Sequence, residues 1–111
     1  MIDPNTRDII VNVRDLSEKL RIDLGDEDRE SLLATATSVL AKVDQLQINH
    51  PGIASASLSA DGTSAAWLIK VSTAELVREM SPDAPDWESA KTSFTFTADA
   101  VRQLLETAGI E

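Results

Sequence analysis

Apolar residues in the first half of the chain recur at helical spacing. Ile9, Val13, Leu16 and Leu20 fall at i, i+4, i+7 and i+11, a single stripe along one face of a helix. Asp3 stands where an N-cap oxygen is needed, and Pro4 suits the first helical position, where its missing N–H costs nothing. Gly25 is expected to end this helix or open the turn after it. A second helix should start inside LRIDLGDEDRESL, residues 20–32. There Asp26 or Asp28 can accept the first free N–H groups, and Glu27 and Glu30 lie near the positive end of the helix dipole. Its inward face is Leu32, Leu33, Ala36, Val39, Leu40, Val43 and Leu46, and the small residues from Ala34 to Ala41 would admit a close helix neighbour. Asn49-His50-Pro51-Gly52 stops it, which makes the first half an αα-hairpin.

The pattern then shortens from a helical period to a period of two. Asp61-Gly62 is a type I′ turn signal. With these two residues at the centre of a hairpin, Ala60 faces Thr63, Leu58 faces Ala65, Ala56 faces Trp67 and Ala54 faces Ile69, all on one dry face. Ser59 with Ser64 and Ser57 with Ala66 form the other. This register makes Trp67 a core residue, and its truncation to alanine would then cost about 3–5 kcal/mol. Ser72 or Thr73 can cap a short helix through Met80. TSFTFT, residues 92–97, alternates as a third strand with Phe94 and Phe96 on one face, and a last helix runs from about Ala98 to Ala108. Gly109 suits the left-handed C′ position, with Ile110 folding back on Leu105. The expected order is α-α-β-β-α-β-α, one α+β domain over residues 1–111.

Composition narrows the function classes. Nineteen acids stand against ten bases, a formal net charge of −9. The charge is spread: ten acids and six bases in residues 1–56, nine and four in 57–111. A nucleic-acid binder needs the opposite sign to meet phosphates, so direct nucleic-acid binding is not expected. The acidity serves either solubility or a basic partner. There is no apolar run of membrane-spanning length, and the start MIDPNTRD lacks the basic and apolar segments of a secretion signal, which points to synthesis in the cytoplasm without a membrane partner. Cysteine is absent, so neither disulfides nor thiolate chemistry enter.

Catalytic and metal motifs fail on spacing. Read as a calcium loop from Asp26, the acids at Asp28 and Glu30 fit, but position 6 is Ser31 where glycine is needed and position 12 is Thr37 where glutamate is needed. His50 is the only histidine; as a residue before proline after a helix it reads as a turn residue or a cap on free carbonyls, and one imidazole without thiolates does not make a zinc site. No glycine-rich phosphate loop is present. No cofactor and no enzyme activity are therefore expected. What stands out instead is Trp87 in the proline-bearing loop SPDAPDWES, which carries Asp83, Asp86 and Glu88 and no base. A tryptophan there either staples the loop to the domain or anchors a partner. The candidate contact residues are thus Trp87, Asp83, Asp86 and Glu88, with Asp26, Glu27 and Asp28 of the acidic corner.

The segment DLSEKLRIDLGDEDRESLLATATSVLAKVDQL, residues 15–46, resembles the head–tail connector (adaptor) proteins of tailed phages. They share a helix ending in an LRID-like stretch, here Leu20-Arg21-Ile22-Asp23, then an acidic turn, here Asp26-Glu27-Asp28, then a long helix of small and apolar residues that includes Leu32, Leu33 and Ala36. The resemblance covers about a third of the chain. That family tends to be mainly helical with aromatic residues in later helices, and the β-hairpin and third strand expected here depart from that pattern beyond Leu46. The resemblance implies a non-enzymatic virion subunit that assembles with itself in a ring and contacts portal or tail proteins. The alternative is an acidic inhibitor, immunity-type protein or chaperone that covers a basic partner surface. Under either reading Asp26, Glu27 and Asp28 are helix-capping residues that hold no metal. Calcium at micromolar concentration should then leave the melting temperature unchanged, because an ion bound only by the folded state must raise it.

Overall fold

A computed structural model describes residues 3–56 and 62–110. These residues form α1 (Pro4–Asp26), α2 (Arg29–Asn49), the short α3 (Pro51–Ala56), α4 (Ala65–Arg78) and α5 (Trp87–Ala108). The caps follow the sequence closely. Asp3 accepts the Asn5 N–H at 3.2 Å with Pro4 in the first turn, and Asp28 accepts the Ser31 N–H at 3.1 Å to start α2. At the far end Gly109 is left-handed, its N–H donating to Glu106 O at 3.1 Å while Ile110 N–H donates to Leu105 O at 2.9 Å. This is the double closure of a Schellman motif, and Ile110 is buried beneath it.

The corner between α1 and α2 closes in the same way, but not at glycine. Gly25 lies inside α1, and the left-handed residue is Glu27 at φ 52°. Its N–H donates to Leu24 O at 3.2 Å, and Asp28 N–H donates to Asp23 O at 3.1 Å. Asp28 thereby ends one helix and caps the next, so the residue before it must take the left-handed turn even though glutamate has a Cβ to strain there.

The four long helices form a closed square. Neighbours run α1–α2–α4–α5 and back to α1, and among the described residues the diagonal pairs α1 with α4 and α2 with α5 make no close backbone approach. Each neighbour pair is antiparallel. Arg29 Nε reaches Met80 O at 2.9 Å while Lys70 meets Asp44, which sets α4 against α2. Ser72 meets Thr97 and Glu79 meets Ser93, which sets α5 against α4. The core has two layers. At one end Ile9, Ile10 and Val13 pack with Val39, Val43, Leu46, Ile69, Val101 and Leu104, with α3 closing that end through Ala54. At the other, Leu20 and Leu24 pack with Leu32, Ala36, Leu76, Met80 and Ala90. Removing these side chains from water supplies the main drive for folding, about 1.5–3 kcal/mol for each fully buried large one.

The α+β expectation is overturned: no β-strand forms among the described residues, and within the predicted strand regions residues 54–56, 65–69 and 92–97 are helical. Ala54 and Ala56 lie in α3, and Ala66, Trp67 and Ile69 lie in α4. Trp67 is therefore not opposite Ala56 in a ladder. Residues 57–61, and with them Leu58, Ser59, Ala60 and Asp61 of the expected hairpin, lie outside the described residues. Across 65–76 the buried set is Ala65, Ala66, Ile69, Ser72, Thr73 and Leu76, which is a helical stripe. Ser64 caps it, with its Oγ 3.4 Å from Trp67 N, so Ser72 and Thr73 are interior positions and not a helix start. In 87–108 the buried set is Ala90, Ser93, Thr97, Ala100, Val101 and Leu104, so the Thr-Phe alternation of 92–97 is a by-product of composition. Thr92 and Thr95 satisfy their hydroxyls on the carbonyls of Glu88 and Lys91 one turn back, which lets β-branched residues sit in this helix.

The change of period moves one large side chain from the core to the surface. Trp67 is 52% exposed. Trp67→Ala should cost less than about 1 kcal/mol in a urea melt, in the range of surface substitutions. A loss of about 3–5 kcal/mol would restore it to the core.

Candidate contact surfaces

The acid of the LRID stretch is buried with both carboxylate oxygens engaged. Asp23 falls on the buried stripe of α1 and is 6% exposed. Its Oδ1 accepts from Ser31 Oγ at 2.9 Å, and its Oδ2 accepts from Thr35 Oγ1 at 2.8 Å and from Lys19 Nζ at 3.3 Å. Lys19 also reaches Ser31 and Thr35, at 2.9 and 3.1 Å. A buried carboxylate is tolerable only when its oxygens are met in this way, and here every partner but Lys19 comes from α2. The group clasps the two helices in one register.

The predicted contact residues converge. Asp26, Glu27 and Asp28 are exposed at the α1–α2 corner, and Asp83, Asp86 and Glu88 are exposed around the start of α5. Both segments flank the same core layer, since Leu24 and Leu32 pack with Met80 there and Trp87 rests against that cluster. Two acidic segments far apart in sequence thus share one end of the bundle. Asp86 is the N-cap of α5, and its carboxylate accepts the Ser89 N–H at 3.1 Å and the Ser89 hydroxyl at 3.0 Å. These hydrogen bonds, the backbone one first, hold its pKa below the ordinary carboxylate value. A depressed folded pKa means that its stabilising contribution is present above the unfolded value near pH 4 and is lost as pH falls through the folded one. Trp87 is partly buried at the first position of α5, with one side on the core cluster. Beside this end, Glu75, Glu79 and Glu88 line a shallow groove with Ser89, Thr92 and Ser93. Ser93 Oγ donates to Glu79 Oε1 at 3.0 Å, and Glu79 Oε2 is buried without a hydrogen-bond partner. Among the described residues no three His, Asp or Glu side chains come together as a metal site. His50 is the C-cap of α2, with Nε2 3.1 Å from Asn5 Nδ2.

Two surfaces were not foreseen from the sequence. On the α2–α4 side Trp67 and Val71 stand one turn apart on the outward face of α4, 52% and 44% exposed. Trp67 shares a shallow pocket with Gln47 and Pro51, and Ile48, one residue from Gln47, is 78% exposed. On the α1–α5 side a groove of about 380 Å³ has a floor of Phe94, Ala98, Val101 and Leu105. The first could have been found by applying the helical period to 65–76, which puts Trp67 and Val71 off the buried stripe. The second carries no local signal, because its walls are 70 or more residues apart. No described helix is long and apolar enough to cross a membrane.

The clasp generates a test. Asp23→Ala leaves two hydroxyls and an ammonium without their acceptor, and should cost about 2–3 kcal/mol in chemical denaturation, as for hydrogen bonds to a charged group. Asp26→Ala at the exposed corner should stay within about 0.5 kcal/mol. Equal effects of the two would show that Asp23 is not the clasp. Comparison with known proteins leaves this geometry to speak for itself: no protein-family model, no curated protein and no solved structure matches the chain.

Proposed function

We propose that this chain is a non-catalytic structural subunit that works by protein contact, of the head–tail connector type found in tailed phages, with portal or tail proteins as its partners and the virion as its place of work. One observation carries the reading. The segment that resembles those proteins forms the clasped α1–α2 hairpin of an all-helical bundle, and the last helix carries Trp87, Phe94 and Phe96. A mainly helical chain with aromatic residues late in its sequence is what the resemblance implies. Exposed Trp67, Val71 and Ile48 add support, since large apolar side chains that the fold leaves uncovered suit a protein that buries them in an assembly.

A second reading has its own observation. The convergence of Asp26, Glu27 and Asp28 with Asp83, Asp86 and Glu88 at one end suits an acidic inhibitor or chaperone that covers a basic surface. Salt separates the two. A charge-driven complex should weaken at least tenfold as ionic strength rises toward about 0.5 M, where the screening length falls to a few ångströms. A connector contact built on apolar side chains should hold.

The expected outcome is that the purified chain co-sediments with portal or tail rings produced from neighbouring genes, and still does so at high salt. Failure to bind any such protein, together with salt-sensitive capture of a basic one, would favour the second reading. Turnover of a small substrate by the purified chain would overturn both.

A further inference from the structure

Helices α4 and α5 bound a furrow whose two halves differ in chemistry. On α4, Trp67, Val71, Glu75 and Glu79 stand four residues apart, a spacing that stacks side chains along one side of a helix. On α5, Glu88, Thr92 and Phe96 form a second such row. The helices are antiparallel, so the rows face each other in opposite order: Glu79 meets Ser93, and Ser72 meets Thr97. Glu75, Glu79, Glu88 and Thr92 line one half of the furrow together. Val71 and Phe96 each lie one turn further along their row, beside the Ser72–Thr97 pair, and are 44% and 59% exposed. Trp67 follows one turn beyond Val71. One half of the furrow is thus acidic and the other apolar. We infer that it binds a cationic amphipathic helix of a partner protein, with the helix's apolar side chains on Trp67, Val71 and Phe96 and its bases over Glu75, Glu79 and Glu88. The inference rests on the contact reading above and names the chemistry of the partner.

Charge selects that occupant. Arg78 is paired with Glu75, and among the described residues no base forms an ion pair with Glu79 or Glu88. Three carboxylates against one guanidinium leave the acidic half two negative charges in excess. Glu79 accepts the Ser93 hydroxyl on one oxygen at 3.0 Å, and its other oxygen is buried without a hydrogen-bond partner. A carboxylate set so poorly in water gains from a cation that arrives with an apolar segment. The base nearest in sequence to Trp67 and Val71, Lys70, is held by Asp44 of α2 at 2.6 Å and brings no free positive charge to the apolar half. A second copy is a poor occupant, since nineteen acids against ten bases give each chain a charge of −9 and the two would repel. Nucleic acid and anionic membranes are turned away by the same sign. Length points to a helix. Trp67 to Glu79 is twelve residues, about 18 Å along α4, which matches a few turns of a partner helix whose anchors recur at i and i+4.

The experiment is fluorescence anisotropy of a labelled synthetic helix titrated with the full chain. The first probe carries leucines at i, i+4 spacing in one half and lysines at the same spacing in the other. A second probe has glutamate in place of each lysine, and a third has the first probe's composition with leucine and lysine interleaved. The first should bind with a Kd below about 0.1 mM, and the other two at least tenfold more weakly. Trp67→Ser and Phe96→Ser should each weaken the first probe at least fivefold with helical circular dichroism unchanged, as for aromatic anchors. Glu75→Gln combined with Glu88→Gln should weaken it at least threefold. Asp26→Asn combined with Asp83→Asn removes the same charge outside the furrow and should leave the affinity as it was. If Phe96→Ser fails to fold, Val71→Ser takes its place. No binding of the first probe, equal binding of all three, or an equal loss in the Asp26 and Asp83 control would overturn the inference. So would a wild type that is dimeric in sedimentation equilibrium and becomes monomeric on Trp67→Ser, since the face would then belong to a second copy. Portal or tail rings that bind wild type, Trp67→Ser and Phe96→Ser alike would remove this inference alone. Binding of the first probe by a chain that binds no portal or tail protein would remove the connector reading alone.

Discussion

The rest of the structure depends on the burial of one carboxylate. Asp23 lies on the inward stripe of α1, where an apolar residue would ordinarily sit, and it is acceptable there only because Ser31 and Thr35 of α2 deliver their hydroxyls to it and Lys19 adds its charge. A one-residue slip of α2 along α1 would carry both hydroxyls away and strand a charge in the core, a far larger cost than the loss of a few van der Waals contacts. The apolar layers set how tightly the helices pack, and the clasp sets how they are aligned. Everything after α2 inherits that alignment, since α4 is positioned against α2 and α5 closes the square between α4 and α1.

The corner serves the same end. Asp28 terminates α1 and caps α2 in two successive residues, so the chain reverses with almost no loop, and the strain falls on Glu27 in the left-handed region. The sequence offers a glycine two residues earlier and the structure does not use it as a cap. A left-handed close at Gly25 would end α1 two residues, about half a turn, earlier and move α2 out of the alignment in which Ser31 and Thr35 reach Asp23. Local preference for glycine at that position is worth about a kilocalorie per mole, less than the clasp it would disturb.

The all-helical bundle carries an acidic end, an apolar ridge on the α2–α4 side and a groove on the α1–α5 side. Two buried polar groups join neighbouring helices: Asp23 holds the first hairpin, and Ser72 with Thr97, 2.5 Å apart, holds the second. Ile22, Ile48, Trp67, Val71 and Phe96 are the large apolar side chains that the fold leaves uncovered among the described residues.

The sequence by itself determined the first helix and its N-cap, most of the buried face of α2, the stop at Asn49 and the Schellman close at Ile110. Each of these rests on interactions between residues a few positions apart, which the order of side chains dictates. It also held the stripe of α5, though the Thr-Phe alternation of 92–97 hid it, because a six-residue window cannot separate a period of two from one of 3.6 when threonines supply both. The tertiary structure decided the rest. Residues 65–76 are helical because Ala65, Ile69, Ser72, Thr73 and Leu76 have a core to enter only when α2 and α5 stand on either side. Trp67, whose size suggested burial, is left outside by that same phase. The convergence of the two acidic segments and the α1–α5 groove depend on segments 50 to 90 residues apart lying side by side. No local pattern encodes such a neighbour; it follows from which faces must leave water together.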